Sequence, residues 1–193
     1  MTVRGVVLAG GESSRMGREK ALVAYNGKKL IEYSLESISG IEGRPLVVSN
    51  NNEVVSFLAD VEVIPDFLLG RGPLGGIFTA LEHCKDDIII VACDTPLLKK
   101  ETVEMLVTEW GNADITVYTN EGKIYPFPGI YSISLIKSLE KRLEGAGRDL
   151  SMQDFIRNTG NVKYIEITDE VSTLNGINTP DDYRKITGHE LEM

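Results

Sequence analysis

The stretch VRGVVLAGGESSRMGREKAL, residues 3–22, runs from an apolar segment through a glycine pair into a polar, basic loop. Val3–Ala9 has the pattern of a strand buried on both faces of a parallel sheet, and Gly10 and Gly11 end it. The alternation continues outward from there. Leu30–Ile38 carries apolar residues at helical spacing, Pro45–Ser49 is a short β-branched strand, Glu53–Ala59 is a helix, and Val61–Ile64 is a strand stopped by Pro65. After the turn-rich LLGRGPLGG, Ile77–Cys84 reads as a helix, Asp87–Ala92 as a strand, Glu101–Trp110 as a helix and Ala113–Thr119 as a strand. Repeated βα units of this length predict an α/β fold, an open, mostly parallel twisted sheet with helices on both faces, Rossmann-like in plan.

The rhythm changes after residue 120. NEGK reads as a turn, and Tyr125–Gly129 (YPFPG) as irregular or edge backbone, because proline cannot donate to a ladder. Helices are expected at Ser134–Leu143 and Asp149–Arg157, with a strand at Val162–Ile167. Thr179 caps a last helix, with Pro180 at its first position and Asp181 and Asp182 in its first turn. There is no internal repeat, low-complexity segment or linker, so residues 1–193 are expected to form one domain.

Composition narrows the function. The chain has 193 residues, 42% of them hydrophobic and 25% charged, the profile of an ordinary globular domain. Its net charge of −9 argues against general nucleic-acid binding, which rests on a basic face. The longest purely apolar run, Ile88–Cys93, is too short to span a bilayer. The first residues lack the long apolar core of a signal peptide, and a cytoplasmic protein with no membrane partner is expected. Cys84 and Cys93 offer no zinc spacing and read as buried, reduced thiols. His189 falls near the tail, and His83 reads as a helix-end residue beside its own carbonyls. Serine-protease and histidine–metal chemistry are thereby excluded, leaving carboxylates, basic groups and backbone.

Three segments carry chemistry. In Leu8–Leu22 the glycines let backbone N–H groups converge on an anion. Arg15, Arg18, Lys20, Lys28 and Lys29 are offset only by Glu19 between residues 15 and 29, a local focus for an anionic ligand in an acidic chain. The alternative is a solvated loop with ordinary surface lysines. The spacing is neither that of a P-loop nor of a dinucleotide fold. In VACDTPLL, Asp94 falls where an apolar strand runs out, at the end of a parallel sheet where ligands bind. One carboxylate there suits Mg²⁺, which takes its other ligands from substrate phosphates; an Asx turn is the alternative. Asp66, ahead of GPLGG, is placed to accept from a sugar hydroxyl or a base N–H, or to cap a turn.

LAGGESSRMGREKAL, VIPD with GPLGG, CDTP and GINTPDDY together resemble, in content and order, the molybdenum cofactor guanylyltransferases. The resemblance covers nearly the whole chain and is weakest over 120–170. It implies a nucleotidyltransferase fold and transfer of GMP from GTP to molybdopterin, giving the guanine dinucleotide form and pyrophosphate. A CTP- or other NTP-dependent transferase of the same fold, acting on a pterin, sugar or alcohol phosphate, is the alternative. By the family pattern Leu8, Ala9 and Gly10 contact the nucleotide through backbone, Lys20 its phosphates, Asp66 binds GTP, and Asp94 binds both GTP and Mg²⁺; the loop itself adds Gly11 to the backbone cradle and Arg15 to the charge that offsets the leaving pyrophosphate. Residues 1–119 would form the nucleotide part and 120–193 the acceptor part, with Asn178 on the acceptor side. Transient contact with proteins that supply or receive the cofactor is implied as well. The chain departs from the pattern at Glu19, where aspartate is usual, at Ser49, where a nucleotide-contacting asparagine is usual, and at Gly176, in place of the first asparagine of Asn-Ile-Asn-Thr-Pro.

Overall fold

The computed structural model describes residues 3–10, 19–144 and 150–189. In chain order the elements are β1 (Arg4–Leu8), β2 (Ala24–Tyr25), β3 (Lys28–Lys29), α1 (Leu30–Ser37), β4 (Leu46–Val48), α2 (Asn52–Phe57), β5 (Glu62–Ile64), α3 (Gly72–Cys84), β6 (Ile88–Ala92) and α4 (Lys100–Glu109). They continue with β7 (Ile115–Asn120), β8 (Lys123–Tyr131), α5 (Ile136–Leu143), α6 (Met152–Arg157), β9 (Val162–Glu166) and α7 (Pro180–Thr187). Seven strands form one sheet in the order β5-β4-β1-β6-β8-β7-β9. Only β8 runs antiparallel to its neighbours.

Side-chain alternation along the central strands builds two cores. Val7, Ile89 and Val91 point to one face, under α1 and α4 through Ile31, Val103 and Leu106. Val6, Ile88 and Ile90 point to the other, under α3 and α5 through Ile77, Leu81, Leu139 and Leu143. The α/β architecture with helices on both faces is as expected. The strand order reverses between the parallel neighbours β1 and β6: the chain leaves β1 for β4 and β5 on one side, and leaves β6 for β7 on the other. The crevice beyond the carboxyl ends of two such strands is where ligands bind in open α/β sheets.

Several expectations are corrected. GPLGG is not a loop ahead of the helix but its first turns, since α3 begins at Gly72. Gly75 and Gly76 leave room for close packing: a Cβ on Gly76 would sit 3.1 Å from Leu8 Cδ2, and one on Gly75 3.0 Å from the Leu68 carbonyl, whereas Gly72 opens the helix at a φ of 57°. Tertiary contact overrides weak helix propensity. Secondly, YPFPG is neither edge nor irregular backbone but part of β8, an interior strand. Its prolines are tolerated because the ladder skips them: Gly129 pairs with Val117 and Tyr125 with Tyr118, so Pro126–Pro128 bulge out between. Tyr131 donates its hydroxyl to the Pro126 carbonyl at 2.8 Å and closes the bulge. Thirdly, residues 24–29 form a hairpin that was not expected, turned by Asn26 and Gly27 at φ of 45° and 83°. Asn-Gly is its sequence signature. The cysteines are both free thiols, but only Cys93 is buried. His83 pairs with Glu62 at 2.7 Å rather than with its own carbonyls. Of the helix expected at Asp149–Arg157, Asp149 lies outside the described residues.

The bulge generates a prediction. A Cβ on Gly129 would run into the Pro126 carbonyl and come within 3.1 Å of both Val117 and Tyr131 side chains. Gly129→Ala should therefore cost about 1–3 kcal/mol, the range for overpacking a filled interior, and lower Tm by several degrees in a thermal melt. An unchanged Tm would mean that the bulge yields to the methyl group.

Candidate active site

Asp94 lies two residues past β6, at the crevice. The turn around it is held by other groups: the Thr95 hydroxyl donates to the Ala92 carbonyl at 3.1 Å, and Leu98 N–H to the Thr95 carbonyl at 3.1 Å. The Asp94 carboxylate instead meets the Lys20 ammonium, with Oδ2 2.7 Å from Nζ. The two side chains are only 15% and 20% exposed, so the pair stands largely out of water, where opposite charges attract strongly. Lys20 Nζ donates a second hydrogen bond, 3.0 Å, to Asn178 Oδ1.

Three segments distant in sequence converge to make this contact. Lys20 opens a short 3-10 turn anchored by fully buried Ala21 and capped by Glu19, whose Oε1 accepts from Ala21 N–H at 3.2 Å. Glu19 Oε2 accepts from Asn51 Nδ2 at 2.7 Å, which ties the Lys20 turn to the start of α2. The longer reach of glutamate is thus used for bracing. On the other side, residues 175–178 cross the end of β6, and Ile177 N–H donates to the Asp94 carbonyl at 2.8 Å. Gly176 lies so close that a Cβ would be 2.8–2.9 Å from all three carboxylate atoms of Asp94. Thr179 caps α7 as expected, accepting from Asp182 N–H at 3.1 Å.

The remaining expected residues fall as follows. Leu8 and Ala9 lie at the end of β1, but the Leu8 carbonyl accepts from Cys93 N–H and Ala9 N–H donates to the Val48 carbonyl. Gly10 is the first residue beyond the ladder and is exposed, with open space where a Cβ would stand. Gly11, Arg15 and Arg18 lie outside the described residues. Lys28 and Lys29 do not join the site: Lys28 pairs with Glu36 at 2.6 Å over the Tyr33 ring, and Lys29 sits at the N-cap of α1. Among the described residues, Lys20 alone of the predicted basic cluster reaches the crevice. Asp66 occupies a neighbouring edge, where Asn50 Nδ2 donates to its carbonyl at 3.1 Å. Ser49 is buried and its hydroxyl accepts from Asn51 N–H at 3.2 Å, a bracing role. Asn51 escaped the sequence reading, although its place before a helix marks it as an N-cap.

Beside the Lys20–Asp94 pair lies a cavity of about 520 Å³, lined among others by Tyr125, Gln153, Gly176, Asn178, Lys123 and Lys185. Asn178 belongs to both places. Among the described residues no group of three or more His, Cys, Asp or Glu side chains converges as a metal cage. A lone carboxylate already holding a cationic group does fit a magnesium ion that takes its other ligands from phosphates.

The anchored Lys20–Asp94 pair lies at the switch point of a mostly parallel sheet, where ligands bind in such folds, and comparison with known proteins gives the class of the chain. Residues 5–162 match the MobA-like NTP transferase domain, and the chain belongs to that family of nucleotidyltransferases. It is 37% identical over 187 residues to a probable molybdenum cofactor guanylyltransferase of Carboxydothermus hydrogenoformans, covering 93% of this chain and 92% of that one. It is 36% identical over 157 residues to the probable enzyme of the same name from Flavobacterium johnsoniae, covering 80% of each. In structure it resembles the molybdopterin-guanine dinucleotide biosynthesis protein A of Archaeoglobus fulgidus, with a TM-score of 0.80, 28% identity, and coverage of 96% and 97% of the two chains.

The Gly176 contact yields the second prediction. In Gly176→Ala the new methyl has to displace either the Asp94 carboxylate or the backbone that crosses it. Turnover should fall by about tenfold or more, because small misplacements at a reacting centre are costly. Parental turnover would show that Asp94 needs no such close placement.

Proposed function

We propose that the chain transfers GMP from GTP to the terminal phosphate of molybdopterin, with release of pyrophosphate, and that Mg²⁺ assists. The observation that carries this reading is the meeting of Lys20, Asp94 and Asn178 at one point between β1 and β6. The names of the relatives supply the base and the acceptor. On this reading residues 1–119 hold the nucleotide and residues 120–193 build the acceptor side, where the cavity beside Asn178 is large enough for a pterin.

The chemistry asks little beyond positioning and charge. A phosphate monoester has a second pKa of about 6, so the attacking oxygen is ionised at neutral pH and needs no general base. That suits a site whose described acid–base groups are a lysine and carboxylates. Lys20 neutralises phosphate charge as pyrophosphate departs, and Arg15 is assigned the same task. Leu8, Ala9, Gly10 and Gly11 approach the nucleotide along the end of β1, and Asp66 accepts from it at the neighbouring edge. Asp94 is the residue that would hold Mg²⁺, which when bound supplies Lewis-acid stabilisation of phosphate oxygens. Asn178 touches Lys20 and also lines the cavity, so it orients the two substrates against each other.

Two outcomes test the reading. Pyrophosphate should form from GTP only when molybdopterin is supplied, and more slowly from CTP, ATP or UTP. Preferred use of CTP would move the protein to another branch of the same fold. Asp94→Asn keeps the shape and removes the charge, and should slow turnover by at least about a hundredfold, as for loss of one electrostatic contributor. Calorimetric GTP binding should change much less, since the charge matters most while phosphate charge is moving. Near-parental turnover with unchanged magnesium dependence would remove Asp94 from the metal site.

A further inference from the structure

Thr79 stands in the middle of α3, fully buried, where a threonine hydroxyl ordinarily bonds back to a carbonyl of its own helix. Its Oγ1 instead donates across to Asp66 Oδ1 at 2.7 Å. The same oxygen accepts Leu68 N–H at 2.9 Å, so Oδ1 is gripped from two directions. Gly75 lies four residues before Thr79 on the same helix face. A Cβ at Gly75 would lie 3.3 Å from Asp66 Oδ2, so the bare glycine keeps the space beside that oxygen open. Among the described residues Oδ2 accepts no hydrogen bond. Asp66 itself is only half-buried.

We infer that Thr79 is a positioning residue for nucleotide recognition: by holding Oδ1 it presents Asp66 Oδ2 as a single fixed acceptor for one hydrogen-bond donor of the nucleoside. The inference rests on the proposed role of Asp66 in binding GTP. Its physical content is preorganisation. A carboxylate tethered only through its own loop pivots about its Cβ–Cγ bond, and the donor then has to order it on binding. A carboxylate fixed by a buried helical hydroxyl meets the donor with that ordering already done. The donor is a base N–H or a ribose hydroxyl, the two groups of a nucleoside triphosphate that can supply a proton to an acceptor of this kind.

Calorimetric titration of the full chain with GTP and Mg²⁺, without acceptor, is the test. Thr79→Val removes the hydroxyl at nearly constant shape and should weaken GTP binding about fivefold to tenfold, the ordinary value of one hydrogen bond. Thr79→Ser should restore near-parental affinity. If the valine variant does not fold, Thr79→Ala, which adds no bulk, should show the same loss. Asp66→Asn should weaken binding at least as much, and adding Thr79→Val to it should cause little further loss, because the two act as one unit. Turnover at saturating GTP should stay within about twofold of the parent in the Thr79 variants, which a general loosening of the fold would not allow. 2′,3′-Dideoxy-GTP separates the donors. A Thr79→Val penalty that persists on this analogue assigns the donor to the base, and one that vanishes assigns it to the ribose; either supports the inference. If Asp66→Asn weakens binding and Thr79→Val and Thr79→Ala do not, Thr79 does not position Asp66. If Asp66→Asn binds GTP like the parent, the proposed role of Asp66 fails and this inference falls with it.

Discussion

The ion pair between Lys20 and Asp94 joins residues 74 positions apart and is the point on which the site is assembled. Neither side chain is free to serve elsewhere. The carboxylate is pinned by the close backbone at Gly176, and the ammonium is shared with the Asn178 amide. Holding opposite charges together largely out of water costs solvation, and removing one partner alone leaves a charge stranded. On the proposed function, this pair at the open end of the sheet holds the cation-binding carboxylate and the phosphate-binding cation in register.

The rest of the structure serves that placement. The parallel strands β1 and β6 end side by side, and the chain departs from them in opposite directions, which opens the crevice. The antiparallel β8 pairs with β6 only over Ile88–Ile90 and then bulges at Pro126–Pro128. It therefore leaves Val91 and Ala92 at the end of β6 unpaired with β8. The C-terminal segment closes the arrangement: Ile177 binds the Asp94 backbone, and Tyr183 of α7 donates its hydroxyl to the Ala24 carbonyl at 2.8 Å. A small apolar cluster of Val23, Leu30, Ile177 and Tyr183 locks the two chain regions together beside the Lys20 turn.

Much of this could be read from sequence, and the residues show why. Apolar runs such as Val3–Ala9 and Asp87–Ala92 are unambiguous because strands buried on both faces tolerate little else. Thr179-Pro180-Asp181-Asp182 is a local cap, and local signals survive without tertiary context. The position of Asp94 at the crevice was legible because it follows a buried strand closely. What escaped depends on neighbours that a sequence does not display. The β8 prolines look prohibitive until a three-residue bulge removes them from the ladder. Gly72–Gly76 looks like a loop until the Leu8 side chain and the Leu68 carbonyl show what the missing Cβ atoms leave room for. Lys28 looked like part of the anion site because sequence proximity to Lys20 says nothing of a hairpin that turns it toward Glu36. The grip of Thr79 on Asp66 spans an element boundary and carries no local signature at all.

The central claim is that Asp94 and Lys20 are the cation and phosphate ligands of one nucleotide site. A crystal structure with Mn²⁺ and a GTP analogue carrying an uncleavable methylene between its α- and β-phosphorus atoms tests it most directly. The account predicts an anomalous manganese peak within coordination distance of the Asp94 carboxylate, with Lys20 Nζ on a phosphate oxygen of the same nucleotide. A triphosphate bound elsewhere, with the 2.7 Å Lys20–Asp94 pair intact and no metal on the carboxylate, would contradict it.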